Sequence, residues 1–356
     1  MRKVSIMPLA YHEQEDRRIH IRMKEMLERL PRFCSLFFRG IEPRTQSRTR
    51  LAYAYDLTVF FQFIKYSNLA YKDTDIRDFP LELLDEINAR DIEEYMEYLK
   101  YRPDEDGDSE VINKESGIKR KVSSLKSFYR YFYESEMIKT NPAALVRLPK
   151  LREKEIIRLD YNEVARLLDE VESGDSLTDR QQAFHKRTRN RDVALMSLLL
   201  GTGMRISECV GIDLKDLDME ETAVNIHRKG GKEETVYFSD EVAGSMMPYY
   251  EDRKSMIAEP GHENAFFLSL QNKRMSVRSV EKMVKKYALI VTPLKHITPH
   301  KLRSTYGTHL YQETGDIYLV ADVLGHSDVN TTKKHYAAID ESRRRQARKA
   351  VKLRED

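Results

Sequence analysis

Apolar positions recur at helical spacing along most of the first 150 residues. The clearest stripe lies in the segment RTRLAYAYDLTVFFQFIKY, where Leu51, Tyr55, Val59 and Ile64 share one face. A stripe with this period is typical of a helix that buries one side in a core. Three segments of this kind predict helices, at 48–66, 91–99 and 113–134. The first part of the chain is therefore predicted to be a helical domain.

The helix predicted at 113–134 follows an acidic stretch, PDEDGDSE at 103–110, whose lack of an apolar period predicts a turn or loop. Basic residues occupy the polar side of that helix, and such a surface is suited to binding DNA. Lys119, Lys121 and Lys126 are the candidate DNA contacts. A solvated charged face explains the same pattern equally well, so both interpretations stay open.

Pro142 marks the end of this helical region, because proline disfavours the helical conformation in the residue before it. The charged segment LVRLPKLREKEIIRL at 145–159 then has the character of an extended linker. We expect four parts of the chain: a helical domain at 1–150, a linker at 151–157, a second domain at 158–340 and a basic tail at 341–356.

The second domain combines helical periods with one stretch of a different character. Helices are predicted at 161–172, 192–200, 276–289 and 301–314. Between them, two short alternating runs flank Lys229-Gly230-Gly231-Lys232, which is a hairpin signal. The fold class predicted for the chain is mainly α with a small β-sheet, with a helical N-terminal domain and a mixed α/β second domain.

Composition narrows the class of protein without identifying it. The chain has 356 residues, 61 Lys and Arg against 58 Asp and Glu, and two cysteines. Two cysteines make no disulfide framework, and no apolar run has the length of a signal peptide or a membrane span. We expect a cytoplasmic protein, and the net charge of +3 gives little information about its partners.

Four pieces of the second domain carry residue types that bind a phosphate. They are GTGMRISE at 201–208, the hairpin lysine Lys229, HKLRSTYGTHL at 300–310 and LGHSDVNTTKKHY at 324–336. Each arginine in the first and third pieces offers a planar, two-pronged donor that matches phosphate geometry. The sequence shows no convincing carboxylate cluster for Mg²⁺ and no zinc frame, so neither a metal nor another cofactor is expected.

The geometry predicted for these pieces brings their polar groups to one place. His300 and Arg303 are one helical turn apart and share a helix face. His326 follows a Leu-Gly turn, where glycine allows close approach of a backbone. Together with Arg205 these groups can hold one phosphate and stabilise the negative charge that develops when its diester is broken.

The order and local frames of these pieces resemble the catalytic signature of the tyrosine recombinase and phage integrase family. The matching frames are Thr-Gly-x-Arg-x-x-Glu, His-x-Leu-Arg, Leu-Gly-His and a tyrosine ten residues later. The resemblance spans about 160–340. The first domain resembles, more loosely, the helical SAM-like core-binding domain of the same family.

The resemblance implies a role for each matching residue. Tyr336 is the nucleophile that forms a 3′-phosphotyrosyl link and releases a 5′-hydroxyl, without metal or ATP. Lys229 is the general acid, and Lys232 is the fallback for that role and a candidate DNA contact. His300 takes the general acid/base role. Arg205, Arg303 and His326 hold the phosphate, and Glu208 orients an arginine or a histidine.

The resemblance also implies partners and a biological role. Double-stranded DNA is the substrate, bound by a tetramer on two sites, with a second recombinase or an accessory DNA-bending protein as further partners in a nucleoid-associated complex. The basic tail either adds DNA affinity or forms a helix that docks on a neighbouring protomer. The quoted motifs do not separate the biological roles, but the length of the chain and the long polar stretch at 174–192 favour integration or excision of a mobile element. The alternatives are Xer-type chromosome-dimer resolution, a topoisomerase activity and a catalytically silent DNA-binding protein.

Overall fold

The computed structural model describes residues 10–103, 109–151, 157–228, 231–326 and 328–329. The chain divides into two compact units, Met1–Lys154 and Glu155–Asp356. The division falls inside the segment 151–157 that we expected to act as a linker. Each unit has its own helical framework.

The first unit is built mainly from helices. Its elements are α1 Tyr11–Leu27, α2 Cys34–Ile41, α3 Ser47–Ser67, α4 Leu83–Glu86, α5 Ala89–Tyr98, β1 Tyr101–Pro103, β2 Glu110–Ile112, α6 Glu115–Glu134 and α7 Pro142–Leu145. The helices predicted at 48–66, 91–99 and 113–134 are α3, α5 and α6. The short antiparallel hairpin formed by β1 and β2 was not predicted, because residues 103–110 were interpreted as a turn or loop alone.

Aromatic rings form the centre of the first unit. Phe128 on α6 is fully buried, and its ring contacts Phe37 and Phe132 edge to face with centroids 5.1 and 5.0 Å away. The ring of Phe61 on α3 approaches the same side chain at 6.1 Å. These edge-to-face contacts join α2, α3 and α6. Of the stripe predicted on α3, Val59 and Ile64 are buried, whereas Tyr55 is exposed.

The second unit combines helices with one small sheet. Its elements are α8 Tyr161–Ser173, α9 Asp179–Thr202, α10 Ile206–Gly211, β3 Leu217–Asp218, β4 Ala223–His227, β5 Glu233–Tyr237, α11 Asp240–Ser255, α12 Val277–Val291, α13 Pro299–Thr314 and α14 Ile317–Val323. The antiparallel sheet has the order β3-β4-β5. The β4-β5 pair is the hairpin predicted around Lys229, with Ile226 opposite Glu234. The fold class expected from the sequence is confirmed.

Helix α9 begins well before the apolar segment 192–200 that predicted it. Its first half is polar and is held by a buried network around Asp192, which accepts hydrogen bonds from Thr188 on the same helix and Tyr287 on α12. Arg191 donates to the same carboxylate at 2.6 Å. Because these polar groups satisfy one another, the helix continues through a stretch that lacks an apolar period.

Among the described residues, no helix is long and apolar enough to cross a membrane.

The aromatic centre of the first unit generates a stability prediction. We expect Phe128→Ala to lower the free energy of unfolding by about 3–5 kcal/mol, because it removes a fully buried ring and leaves a cavity. Urea unfolding of the full chain measures the change. The matched control is Tyr133→Ala on the same helix, whose side chain is exposed and whose loss is expected to cost about 0.5 kcal/mol or less. Equal effects of the two substitutions would contradict this assignment of the core.

Candidate active site

The turn after α9 places Arg205 at the start of α10. Gly203 caps α9 in the left-handed conformation, with φ of 62°, which glycine adopts readily. A Cβ at this position would lie 2.5 Å from Cδ1 of Tyr306 on α13 and 2.9 Å from Cδ2 of Leu324. Glycine therefore allows α9, α13 and the segment after α14 to meet at one point.

Arg205 is held by Glu208, one turn along α10. The guanidinium Nη1 of Arg205 donates to Oε1 of Glu208 at 2.8 Å, and the backbone N–H of Arg205 donates to Oε2 at 2.7 Å. The Glu208 side chain is buried, whereas about a third of the Arg205 side chain is exposed. The carboxylate thus fixes the arginine while leaving part of its fork open, which is the orienting role expected for Glu208.

Arg303 on α13 is the most deeply placed cation of the set. Its Nη1 donates to the carbonyl of Gly203 at 2.7 Å, and its Nη2 donates to the carbonyl of Leu324. The residue is only 5% exposed. Arg303 therefore ties the turn after α9 to the segment after α14, in addition to the phosphate-binding role that its motif predicts.

Within the described residues, three guanidinium groups donate to three consecutive carbonyls at the end of α14. Arg228 donates to Val323 at 2.8 Å, Arg303 donates to Leu324, and Arg205 donates to Gly325 at 3.3 Å. The carboxyl end of a helix carries partial negative charge and leaves its last carbonyls without partners in the helix, so cations stabilise it. These contacts bring Arg205 and Arg303 to the segment that continues into His326.

Arg228 is the residue of this cluster that the sequence analysis missed. It follows β4, in which Val224 and Ile226 are buried while Asn225 and His227 are more exposed. Alternation along a strand places every second residue on one face, so Arg228 falls on the buried side and its side chain is only 7% exposed. That alternation was a signal in the sequence that pointed to an inward arginine.

Gly325 makes room for the Arg228 guanidinium. Its φ is 59°, and an added Cβ would lie 2.6 Å from Cζ and 3.0 Å from Cδ of Arg228, with Nη1 closer still. The Leu-Gly-His frame therefore has two physical requirements at its centre: a left-handed backbone and a flat side chain packed against the Cα. The close approach expected at this glycine was that of a backbone, whereas in the structure it is the Arg228 side chain that lies close.

The two predicted histidines lie beside the arginine cluster. His300 occupies the first turn of α13, one turn before Arg303, and is exposed. His326 directly follows Gly325, is half-buried, and its backbone N–H donates to the carbonyl of Ala321 at 2.8 Å.

Cys209, next to Glu208, is fully buried, and burial raises the pKa of its thiol, so it stays protonated and is a poor nucleophile.

Two residues of the predicted set, Lys229 and Tyr336, lie outside the described residues. Among the neighbouring described residues, Arg228 N–H donates to the carbonyl of Lys232 at 2.8 Å, and Gly231 N–H donates to the carbonyl of Arg228 at 3.1 Å. Lys232 itself is exposed. The acidic residues 104–108 and the basic tail at 341–356 also lie outside the described part of the chain.

The structure corrects one of the DNA contacts predicted on α6. Lys121 is buried, its ammonium donates to Oδ1 of Asn113 at 2.9 Å, and burial lowers its pKa, so it is not available to a phosphate. Lys126 is half-buried and donates to the carbonyl of Val146 at 2.7 Å, which joins α6 to the segment after α7. Lys119 is half-exposed and stays a candidate. The alternation of basic and apolar residues did not distinguish these three environments.

The described residues contain no group of three or more histidine, cysteine or acidic side chains arranged to hold a metal ion. The polar groups that do converge are guanidinium groups, backed by a buried carboxylate and by backbone carbonyls. Such an arrangement is suited to an anion with planar oxygen pairs.

Comparison with known proteins identifies the family of this chain. The model of the phage integrase family matches residues 157–343, which is more than half of the chain and contains the whole arginine cluster. The chain therefore belongs to the phage integrase family, the tyrosine recombinases.

Among its relatives is tyrosine recombinase XerC of Caldanaerobacter subterraneus, 30% identical over 326 residues, with coverage of 87% of this chain and 83% of the relative. Tyrosine recombinase XerS of Lactococcus lactis is 30% identical over 80% of this chain and 85% of its own length.

Two solved structures share the fold at lower identity. The Tn1549 transposon integrase in complex with transposon right end DNA has a TM-score of 0.62 at 22% identity, covering 89% of this chain and 99% of that chain. The XerH site-specific recombinase bound to a palindromic difH substrate has a TM-score of 0.61 at 18% identity, covering 85% and 78%.

The packing of Arg228 on Gly325 generates a second prediction. We expect Gly325→Ala to lower the free energy of unfolding by about 1–3 kcal/mol more than Gly231→Ala, because only the former drives a Cβ into a packed side chain. Gly231 is the matched control, since its φ is also positive, at 79°, and nothing lies within 4 Å of its added Cβ. Thermal unfolding of both variants measures the difference, and equal values would show that the Arg228 side chain does not occupy this position.

Proposed function

We propose that this protein is a site-specific recombinase that cleaves and rejoins double-stranded DNA through a covalent bond to Tyr336. The observation that carries the proposal is the convergence of Arg205 and Arg303, from separate helices, on the segment that leads into His326. Membership of the tyrosine recombinase family supports the same conclusion. Activity as a DNA strand transferase is the chemistry that such a set of cations serves.

The proposed reaction is a transesterification. The phenol oxygen of Tyr336 attacks phosphorus and gives its proton to His300, the proposed general acid/base. The bond from phosphorus to the 5′-oxygen breaks, and Lys229 gives its proton to that oxygen. Arg205 and Arg303 stabilise the negative charge on the nonbridging oxygens, and His326 helps to hold the same phosphate. Because the ester to tyrosine keeps the energy of the broken bond, the reverse attack by a 5′-hydroxyl rejoins DNA.

This scheme assigns no step to a metal ion or to ATP. Charge in the transition state is balanced by guanidinium groups, which stay protonated at any pH the protein meets. A tyrosine has a pKa of about 10 in water, so nearby cations are needed to favour its phenolate. The arginine cluster supplies these cations, and the transesterification conserves the bond energy.

The proposed partners extend beyond one DNA duplex. The first unit is the proposed core-binding domain, with Lys119 as a candidate phosphate contact. The second unit is the proposed catalytic domain, with Lys232 as a further candidate DNA contact. We further propose that four protomers act on two DNA sites, in the nucleoid, with a second recombinase or an accessory DNA-bending protein as possible companions. Phosphate contacts position such a complex, while contacts to base edges select the site.

Integration or excision of a mobile element is the biological role that we propose. The structure shared with a transposon integrase is compatible with it, and so is the fold shared with a site-specific XerH recombinase. Chromosome-dimer resolution is the second candidate, favoured by relatives named XerC and XerS at 30% identity. Sequencing the genomic fragments that the protein retains distinguishes the two roles. Integration or excision predicts the ends of a mobile element, whereas chromosome-dimer resolution predicts a single chromosomal site. The same fragments supply the DNA substrate for the assays below.

Tyr336→Phe tests the nucleophile. We expect the variant to retain DNA binding in a gel-shift assay and to form no covalent adduct, because phenylalanine lacks the attacking oxygen. The substrate is a duplex containing the retained site, with a nick next to the cleavage point so that the cut strand is lost and the adduct accumulates. A denaturing gel detects the adduct.

The unchanged protein, assayed with EDTA and without ATP, is the positive control and is expected to form the adduct. An adduct with the Phe variant would show that another residue is the nucleophile. Loss of the adduct in EDTA would show that the reaction depends on a metal.

Substitution of the two arginines tests the phosphate site. We expect Arg205→Ala and Arg303→Ala to lower the cleavage rate on this substrate by about 10²–10³-fold, through loss of a transition-state donor. Both leave buried partners behind, so Arg205→Lys is the sharper variant: it keeps a positive charge beside Glu208 but lacks the fork. Thermal unfolding close to that of the unchanged protein, together with slow cleavage, is the expected result for Arg205→Lys. Cleavage at the normal rate would contradict a two-pronged contact.

A further inference from the structure

Residues 229–232, the lysine turn, follow Arg228 in the chain. Arg228 lies between this turn and the loop that carries His326. Its backbone closes the turn, since its N–H bonds the carbonyl of Lys232 and its carbonyl accepts from Gly231 N–H, with Lys229 as the next residue in the chain. Its side chain leaves the hairpin and reaches the carbonyl of Val323 at 2.8 Å. One residue therefore connects the main chain next to the proposed general acid with the main chain next to a phosphate-binding histidine.

The Arg228 guanidinium is fixed from three directions. Oε1 of Glu234, on the partner strand, lies 2.7 Å from Nη2, the Val323 carbonyl accepts from the same Nη2, and Gly325 lies next to the guanidinium, where a Cβ would clash with it. A guanidinium held in this way has little freedom to move, so the distance between the hairpin and the 323–325 segment is set by the length of the side chain. An alanine here would remove the link altogether.

This placement is unfavourable for stability. The Arg228 side chain is 7% exposed, and neither its Nε nor its Nη1 has a hydrogen-bond partner in the described part of the chain. Buried N–H groups that lack partners destabilise a fold, and an apolar residue on this strand face would avoid the penalty. Residues whose placement destabilises a fold are concentrated at functional sites. This points to a function for Arg228 beyond holding the hairpin.

We propose that Arg228 is a positioning residue: it fixes the end of β4 to the 323–325 segment, and through this link it orients its neighbour Lys229, the proposed general acid for the leaving 5′-oxygen. This inference rests on the proposed function and assigns a new residue to it. Arg228 acts through Lys229 and has no contact with the reacting atoms. A catalytic group displaced by about 1 Å loses on the order of 10²-fold in rate. Loss of the Arg228 link therefore lowers the rate even if the turn shifts only slightly.

The test uses two nicked duplexes that differ in one atom at the cleavage point. One has the natural 5′-oxygen and the other has a bridging 5′-sulfur. In the second, the tyrosine oxygen bonds to phosphorus, the phosphorus–sulfur bond breaks, and the sulfur leaves as a thiolate. A thiol has a pKa of about 8.5, so this leaving group needs no proton from a general acid. A defect confined to proton donation therefore disappears with the sulfur substrate.

We expect Arg228→Ala to form the covalent adduct about 10-fold to 100-fold more slowly than the unchanged protein on the oxygen substrate, and at about the unchanged rate on the sulfur substrate. Lys229→Ala should show the same pattern with a larger loss, and the double variant should be no slower than Lys229→Ala alone. Arg205→Ala should be slow on both substrates. Arg228→Lys, which keeps the charge beside Glu234, should recover part of the rate.

The matched control is Thr235→Ala on β5, which removes an exposed cross-strand hydrogen bond to Asn225 on the same hairpin and leaves the 323–325 segment untouched. It should match the unchanged protein on both substrates. Normal cleavage of the oxygen substrate by Arg228→Ala would overturn the inference. A loss on both substrates would also overturn it, since it would place Arg228 on the phosphate or in the fold. Absence of an adduct with the unchanged protein on either duplex would overturn the proposed function instead.

Discussion

The carboxyl end of α14 is the point on which the site depends. Three carbonyls there, at Val323, Leu324 and Gly325, accept from guanidinium groups that start on three different elements. A helix end of this kind needs donors, and arginines need acceptors once they are buried, so each satisfies the other. The motifs that are far apart in sequence are thereby held together before any DNA is present.

This arrangement also explains why the individual motifs contain the small residues they do. Gly203 and Gly325 both have a left-handed backbone, and both would meet a packed side chain if they carried a Cβ. The first allows Tyr306 of α13 to cover the turn before Arg205, and the second allows Arg228 to lie against the loop before His326. The glycines in the two frames are requirements of close packing around the arginines, and the arginines in turn fix the helices that present them.

Much of this could be predicted from the sequence, and the failures have physical reasons. Helices α3, α5 and α6 followed from apolar period, and the β4-β5 hairpin followed from alternation around two glycines, because both signals are local. Lys121 was misplaced because a basic residue on a helix does not reveal whether its ammonium finds a partner such as Asn113, which is a tertiary contact. Arg228 was missed because the hairpin signal lies in the glycines and lysines of the turn, whereas an inward arginine is indicated only by the alternation of the strand before it.

Arg205 and Arg303 are the same residue type but have different environments and different roles. Arg303 is buried and gives both of its Nη groups to backbone carbonyls, so its removal leaves two acceptors without partners and disturbs the fold as well as the chemistry. Arg205 keeps about a third of its side chain exposed and is oriented by a buried carboxylate. In the proposed phosphate site, Arg205 is therefore the donor that remains partly open, and Arg303 is a buried, fixed positive charge. Electrostatic preorganisation of this kind requires that the cations be held before the substrate arrives, and the end of α14 is what holds them.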